Sequence, residues 1–435
     1  MRTIRFAPIV AAMAVAIPCA AQTTPTHYQL TTDVPATLGS VTVEDADIVD
    51  QNAGSAAFTV LHNLASVLPP GVGVDAVTCF PNGDVAFSTD TSFGAGSVTA
   101  DDEDVLLLSG GVLTLLFDGS AHGIPASADV DAVHVIDRSS PVLLLSFDTD
   151  VTLGGTTYAD DDIVRFDGAA GSFALELGGS AWLGAEAGRA DVDGVAAALG
   201  NPVRYFLTTD VTFITGTLPA AEDEDIVTVT NGSVTGIRNM SALGIPSAHT
   251  DIDGLDLQFA PALSLGAVSH QIVNTATPVT WSVVYTDQDN DPPAAGLPTV
   301  SLDSGTPVTM AADSSGCGAL CDGVPWNGER FIHTATVGAG ATHTYAFAAG
   351  DGIDQATASG TGPSYVSVPG DADGDGDVDA TDLARIVVEN HDTNGGTDLD
   401  LVRGGSVTDS WGGTDANSDH AVTTTDLSAA LGTIF

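Results

Sequence analysis

The residues best suited to chemistry lie near the C-terminus. Asp371, Asp373, Asp375, Asp379 and Asp382 occupy positions 1, 3, 5, 9 and 12 of a twelve-residue run, with Gly376 at position 6. If the chain turns sharply at that glycine, these side chains converge on one point, joined by the Asp377 carbonyl at position 7. A donor set made only of oxygens suits a hard cation such as calcium, which takes six to eight oxygens at roughly 2.3–2.6 Å. Val378 is read as an inward apolar tether. A second copy follows: Asp415, Asn417, Asp419, Thr423 and Asp426 take the same positions, with the Ala421 carbonyl and Val422 as tether. His420 stands where glycine belongs, and a positive φ there costs about 1 kcal/mol. With Thr423 in place of a carboxylate, the second site is expected to be the weaker.

Each loop runs into a helix, with Leu383, Ile386 and Val387 on the apolar face of the first and Leu427, Leu431 and Ile434 on that of the second. Neither loop has a helix leading into it. This duplicated loop-plus-helix resembles a type I dockerin, a relative of the EF-hand, with Asp382 replacing the longer EF-hand glutamate. The resemblance covers residues 371–435. It implies that calcium orders the fold and that the helices bind a cohesin-like domain or another cell-surface protein. Positions 10 and 11, which contribute to recognition in that family, are here Ala380 and Thr381, then Thr424 and Thr425.

Upstream, two acidic motifs alternate. One runs Asp45-Ala46-Asp47-Ile48, Asp102-Glu103-Asp104-Val105, Asp160-Asp161-Asp162-Ile163 and Asp223-Glu224-Asp225-Ile226. The other runs Val74-Asp75-Ala76-Val77, then Asp129-Val130-Asp131-Ala132-Val133, Asp191-Val192-Asp193-Gly194-Val195 and Asp251-Ile252-Asp253-Gly254-Leu255, and successive copies of either motif lie 56 to 63 residues apart. Short apolar runs broken by Gly, Asp, Asn and Pro read as strands. Within one repeat they fall at residues 130–136, 142–147, 163–166 and 172–177, four strands to a unit, as in a propeller blade. The first repeat opens at Tyr28 on what matches a second strand, and the last ends at residues 251–259 on a first strand. Pairing of the two would close a four-repeat β-propeller-like domain over residues 27–259. Aspartates two apart on a strand share a face, so Asp131, Asp193 and Asp253 could ring the axis and hold a cation. The commoner role of such aspartates is capping tight turns, and that is the reading adopted.

Residues 261–363 lose the period. Alternating runs at 279–286, 299–302, 331–337 and 342–348 fit a sandwich of about 100 residues and resemble immunoglobulin-like spacer domains of bacterial and archaeal surface proteins. Asp287, Asp289 and Asp291 could bind calcium between domains, but they are read as a solvated turn. Cys317 and Cys321 are spaced for a small disulfide loop, and Cys79 reads as a buried strand residue. Residues 364–370 form a linker. The expected fold class is thus mainly β, with one small α-helical calcium-binding domain at the end.

The chain begins with Arg2 and Arg5, an apolar run and small residues up to Ala21, the pattern of a signal peptide over residues 1–21. Export to the extracellular space or cell surface is the expectation. The formal net charge of -47 comes from 57 acidic residues against 10 arginines, with no lysine. Such a surface repels nucleic acid and anionic lipid, and no apolar run is long enough for membrane insertion. No nucleophile elbow, zinc-protease helix or phosphate-binding glycine loop is present, and no catalytic residue is assigned. The reading favoured is a calcium-binding module that docks to a partner, the repeats serving as a binding or structural domain. The alternative is a dockerin-bearing glycoside hydrolase acting on polysaccharide, since two carboxylates at the right separation suffice for that chemistry. Recurrence of the acidic residues in every repeat favours structural positions over a singular catalytic pair.

Overall fold

The computed structural model describes residues 24–434 except 56, 201, 215–217, 247–249, 270–271, 277, 316, 364, 373–376, 391–415 and 418–423. The expected signal peptide lies outside the described residues. The chain divides into two compact units, one of residues 22–260 with 287–291 and the other of residues 261–286 and 292–435, grouped with 1–21.

The first unit carries four antiparallel sheets of four strands each. From the innermost strand outward, the first blade runs Leu255–Gln258, His27–Leu30, Asp47–Asn52, Phe58–Asn63. The second runs Val77–Cys79, Val85–Phe87, Val105–Ser109, Val112–Phe117. Ala132–Asp137, Val142–Ser146, Ile163–Asp167 and Ser172–Leu177 form the third, and Gly194–Ala198, Arg204–Thr208, Ile226–Thr230 and Ser233–Arg238 the fourth. The seam is closed: Tyr28 pairs with Leu257 and Leu30 with Leu255, so the last strand completes the first blade. Each inner strand contacts the inner strands of both neighbouring blades, giving a propeller-like ring.

Packing explains why the ring holds. Each of four apolar clusters draws on two adjacent blades: Phe117 with Phe147, Leu144 with Leu207, Phe206 with Leu30, and Ile48 with Phe87. No blade buries both faces alone, so stability is shared between neighbours. Four inner strands converging on one axis leave little room, and two of them begin beside or on a glycine, Gly254 and Gly194. A Cβ on Gly254 would lie 2.6 Å from Thr31 Oγ1 and 3.0 Å from the Asp75 carbonyl.

The structure adds elements that the sequence reading omitted. A short hairpin joins the second and third strand of every blade, for example Val151–Leu153 with Thr156–Tyr158. Three of these turn on Gly39, Gly96 and Gly154, at φ of 59°, 62° and 59°, a conformation that glycine adopts without strain.

The second unit holds two four-stranded sheets. One contains Ala262–Val268, Val279–Thr286, Glu329–Ala335 and Ala311–Ala312, the other Val308–Thr309, Thr299–Leu302, Thr344–Gly350 and Gln355–Thr361. Trp281, Val283, Val300 and Phe347 form their core. Cys317 and Cys321 are disulfide-bonded, and Cys79 is free and buried. Two helices, Ala380–Asn390 and Thr424–Ile434, pack on each other around Ala372, Ile386 and Ala430. No helix among the described residues is long and apolar enough to cross a membrane.

Candidate functional site

At the C-terminal loops, Asp371, Asp377, Asp379, Asp382, Asn417 and Asp426 are described, while Asp373, Asp375, Asp415, Asp419, Ala421 and Thr423 lie outside the described residues. Asp382 and Asp426 are completely buried, and Asp371 nearly so. Asp382 accepts the Ala372 amide on Oδ1 and the Asp379 amide on Oδ2, each at 2.6 Å. Asp426 Oδ1 accepts the Asn417 amide at 3.1 Å. Both carboxylates thus fold the loop back onto the first turn of the helix it precedes, where negative charge also suits the helix dipole. Asp377, Asp379 and Asp382 each bring a carboxylate oxygen within 4.8 Å of the others. For Asp377 it is this side chain that joins the group, where the sequence reading expected the carbonyl. Val387 and Leu431, two of the apolar residues in the helices that follow the loops, are 39% exposed.

A larger acidic cluster lies at one mouth of the ring. Its geometry separates aspartates that look alike in sequence. In the motif preceding each third strand, the second aspartate is a staple. Asp104 takes the Asp101 amide on Oδ2 at 3.0 Å and the Gly119 amide on Oδ1 at 2.9 Å. Asp162 does the same with Ala159 and Gly179, and Asp225 with Glu222 and Met240. Asp47 retains the first bond, from the Glu44 amide. The first aspartate of the motif is placed at the blade boundary by its backbone: the carbonyls of Asp45 and Asp102 accept the Val74 and Val130 amides of the following blade.

Asp75, Asp131, Asp193 and Asp253 stand at one register, just before the four inner strands. The turn-capping reading does not hold for them, since no backbone amide caps Asp131, Asp193 or Asp253 among the described residues. They are half-buried, and the fields acting on them are those of other carboxylates. Burial, then Asp90, Asp102 and Asp148, push the Asp75 carboxyl up to about 7. Burial, then Asp191, Asp129, Asp75 and Asp148, push Asp131 up to about 9. Asp253 rises to about 9 through burial and then Asp75, Asp33, Asp251 and Asp90, and Asp193 is raised well above the usual carboxylate range.

Two residues upstream, Asp129, Asp191 and Asp251 form a second tier, raised mainly by burial to about 8, about 7 and about 7. The fourth member of that tier is Gly73. All four are anchored alike: the amides of Gly73, Asp129, Asp191 and Asp251 donate to Asp90, Asp148, Asp210 and Asp33 over 2.7–2.8 Å. The sequence reading missed these acceptors, although Asp33, Asp90, Asp148 and Asp210 recur with the same period as the other motifs.

Further along the inner strands, side chains bridge neighbouring blades. Thr78 Oγ1 donates to the Val133 carbonyl and accepts the Val135 amide, both at 3.1 Å. Asp256 accepts the Cys79 amide at 2.8 Å and lies 3.5 Å from His134 Nδ1, with both side chains buried. The mouth is therefore an acidic basin above inner strands that are hydrogen-bonded to one another. Carboxylates so grouped are able to hold protons or bind hard cations. As for Asp287 and Asp291, both are buried, at 1% and 7% exposure, so the solvated-turn reading does not stand.

No family model matches this chain, and no curated protein does. Among solved structures it is similar to YCF48 from Cyanidioschyzon merolae, at 9% identity and a TM-score of 0.21, over 57% of this chain and 61% of that one. It is similar also to the extracellular domain of the hybrid two-component system BT4673 from B. thetaiotaomicron, at 7% identity and a TM-score of 0.22, over 59% of this chain and 33% of that one. The WD40 domain of SCAP from fission yeast aligns at 10% identity and a TM-score of 0.17, over 78% of this chain and 86% of that one. The chain thus spans under two thirds of the first two. Scores this low carry no argument, and the fold rests on its own strand pairing.

Proposed function

We propose that this is an exported, calcium-binding modular protein that docks through residues 371–435 to a cohesin-like or cell-surface partner. The ring of blades then serves as a binding or structural module, and residues 261–363 act as an immunoglobulin-like spacer. The observation that carries this reading is the burial of Asp382 and Asp426, each sealed at the head of one of two packed helices. A buried carboxylate whose loop is rich in further carboxylates is costly unless counter-charge is present, and calcium supplies that charge through oxygen ligands.

Exposed Val387 and Leu431, beside exposed Thr381, Thr424 and Thr425, support a docking role for the same helices. Apolar side chains on a polar rim suit a protein partner. The test is capture of cohesin-type domains and envelope proteins of the same organism by the full chain, with calcium and with chelator. Calcium-dependent capture that is lost when Thr381 and Thr425 are made bulky and charged supports the reading. Capture that is indifferent to chelator contradicts it. Assaying polysaccharide hydrolysis on the same material tests the glycoside hydrolase alternative.

A further inference from the structure

We propose that His134 and Asp256 form a proton-operated clasp across the axis of the ring, closed while the imidazole is charged and released when it is neutral. The first observation is one of register. Three residues after Asp75, Asp131, Asp193 and Asp253, the four inner strands carry Thr78, His134, Ala196 and Asp256. These are equivalent positions on four blades, and they act differently. Asp256 of the first blade accepts the Cys79 amide of the second at 2.8 Å, and Gln258 donates to the Cys79 carbonyl at 3.4 Å. Thr78 of the second blade bridges in the same way to Val133 and Val135 of the third.

At His134 that pattern stops. The side chain is buried, yet neither ring nitrogen has a hydrogen-bond partner. Its Nδ1 lies instead 3.5 Å from Asp256 Oδ1, on the opposite blade. Ala196, at the fourth position, has no polar atom with which to bridge onward. The first and third blades thus meet through one contact whose strength depends on charge. A neutral imidazole leaves a buried donor and a buried acceptor unanswered, which is costly in a protein interior. A charged one faces a carboxylate at ion-pair distance where water screens little.

The surroundings of His134 leave Asp256 as its partner. The strands packed most closely against Ala132–Asp137 are Val142–Ser146, Gly194–Ala198 and Val77–Cys79. The first two contain no titratable side chain, and the third has only Cys79. Burial, then Asp256 and Asp50, push that thiol up, so it carries no charge over the range in which histidines titrate. Across the axis, Leu255–Gln258 contributes Asp256 alone. On the histidine's own strand the nearest acids are Asp131 and Asp137, three residues to either side. Arg138, just beyond, is paired with Asp84.

The experiment is a double-mutant cycle on the full chain, comparing the parent with His134→Gln, Asp256→Asn and the double variant at pH 5.5 and pH 8. Hydrogen exchange of the inner strands Ala132–Asp137 and Leu255–Gln258 reports the stability of the ring. Intrinsic exchange rates and the carboxyls of the mouth are common to all four proteins, so they cancel in the cycle. At pH 5.5 the two side chains should be coupled by about tenfold or more in protection, as close charge pairs are. At pH 8 the coupling should fall towards one. Coupling of the same size at both pH values, or none at pH 5.5, overturns the proposal. If a variant fails to fold, NMR of the His134 imidazole in the parent decides. A change of its charge between pH 5 and 8, tracked by loss of inner-strand protection, supports the clasp. An imidazole that keeps one charge state, or one that changes charge without loss of protection, overturns it.

Discussion

The amide of Asp251 donates to the Asp33 carboxylate over 2.8 Å, although 218 residues separate them. The same bond joins residues 19 apart at Asp129 and Asp148, and again at Asp191 and Asp210. What is a local bond inside two blades is the closing bond of the ring at the first. Equivalent geometry at local and distant pairs means that the seam is built like every other blade.

A consequence for stability follows from that seam. Leu257 is buried and paired with Tyr28. Leu257→Ala should cost about 2–5 kcal/mol, the usual range for truncating a core leucine. In a ring whose blades share cores, the loss should appear as faster hydrogen exchange in all four sheets. Faster exchange confined to the strands beside Leu257 would indicate a linear stack of sheets.

The acidic basin sets an unusual pH dependence when divalent cations are removed. Asp75, Asp129, Asp131 and Asp253 are raised from 3.8 to about 7, 8, 9 and 9 in the folded chain. The folded state therefore holds more protons than the unfolded state between about pH 4 and 9. Its stability falls as pH climbs through that window. In chelator, the urea midpoint of the ring should be lower at pH 9 than at pH 6. A midpoint that rises with pH would show that these groups ionise without penalty.

The staples predict a different class of effect. Asp104 holds two backbone amides and is 5% exposed. Asp104→Ala should destabilise the ring by about 1.5–3 kcal/mol, the range for hydrogen bonds to a charged group, with or without calcium. Asp104→Asn keeps one acceptor oxygen and should cost less. A calcium-dependent effect of either change, measured by urea unfolding in calcium and in chelator, would move Asp104 from the scaffold to the site.

Much of the ring was legible because its signals repeat. The period of the two acidic motifs, the third-blade strands and the closing strand at residues 251–259 all read from spacing alone. The division of labour among the aspartates did not. Asp160 and Asp162 look equivalent, but Asp162 accepts the Ala159 and Gly179 amides, and the second donor lies 17 residues away, beyond the fourth strand of the blade. Spacing along the chain does not show a partner that the strand pairing alone brings back. The hairpins were missed because strands of two or three residues leave almost no periodic signal. Exposure of Val387 and Leu431 escaped notice for another reason: apolar spacing marks a helix face without saying whether anything covers it.

The most direct measurement is a calorimetric calcium titration of the full chain after exhaustive chelation, comparing the parent with Asp371→Ala and Asp382→Ala. The account predicts a tight binding event in the parent that both substitutions remove, because Asp371 is the first ligand in the proposed loop and Asp382 ties that loop to the helix through the Ala372 and Asp379 amides. A parent that takes up no calcium, or variants that bind it as tightly as the parent, would contradict the account.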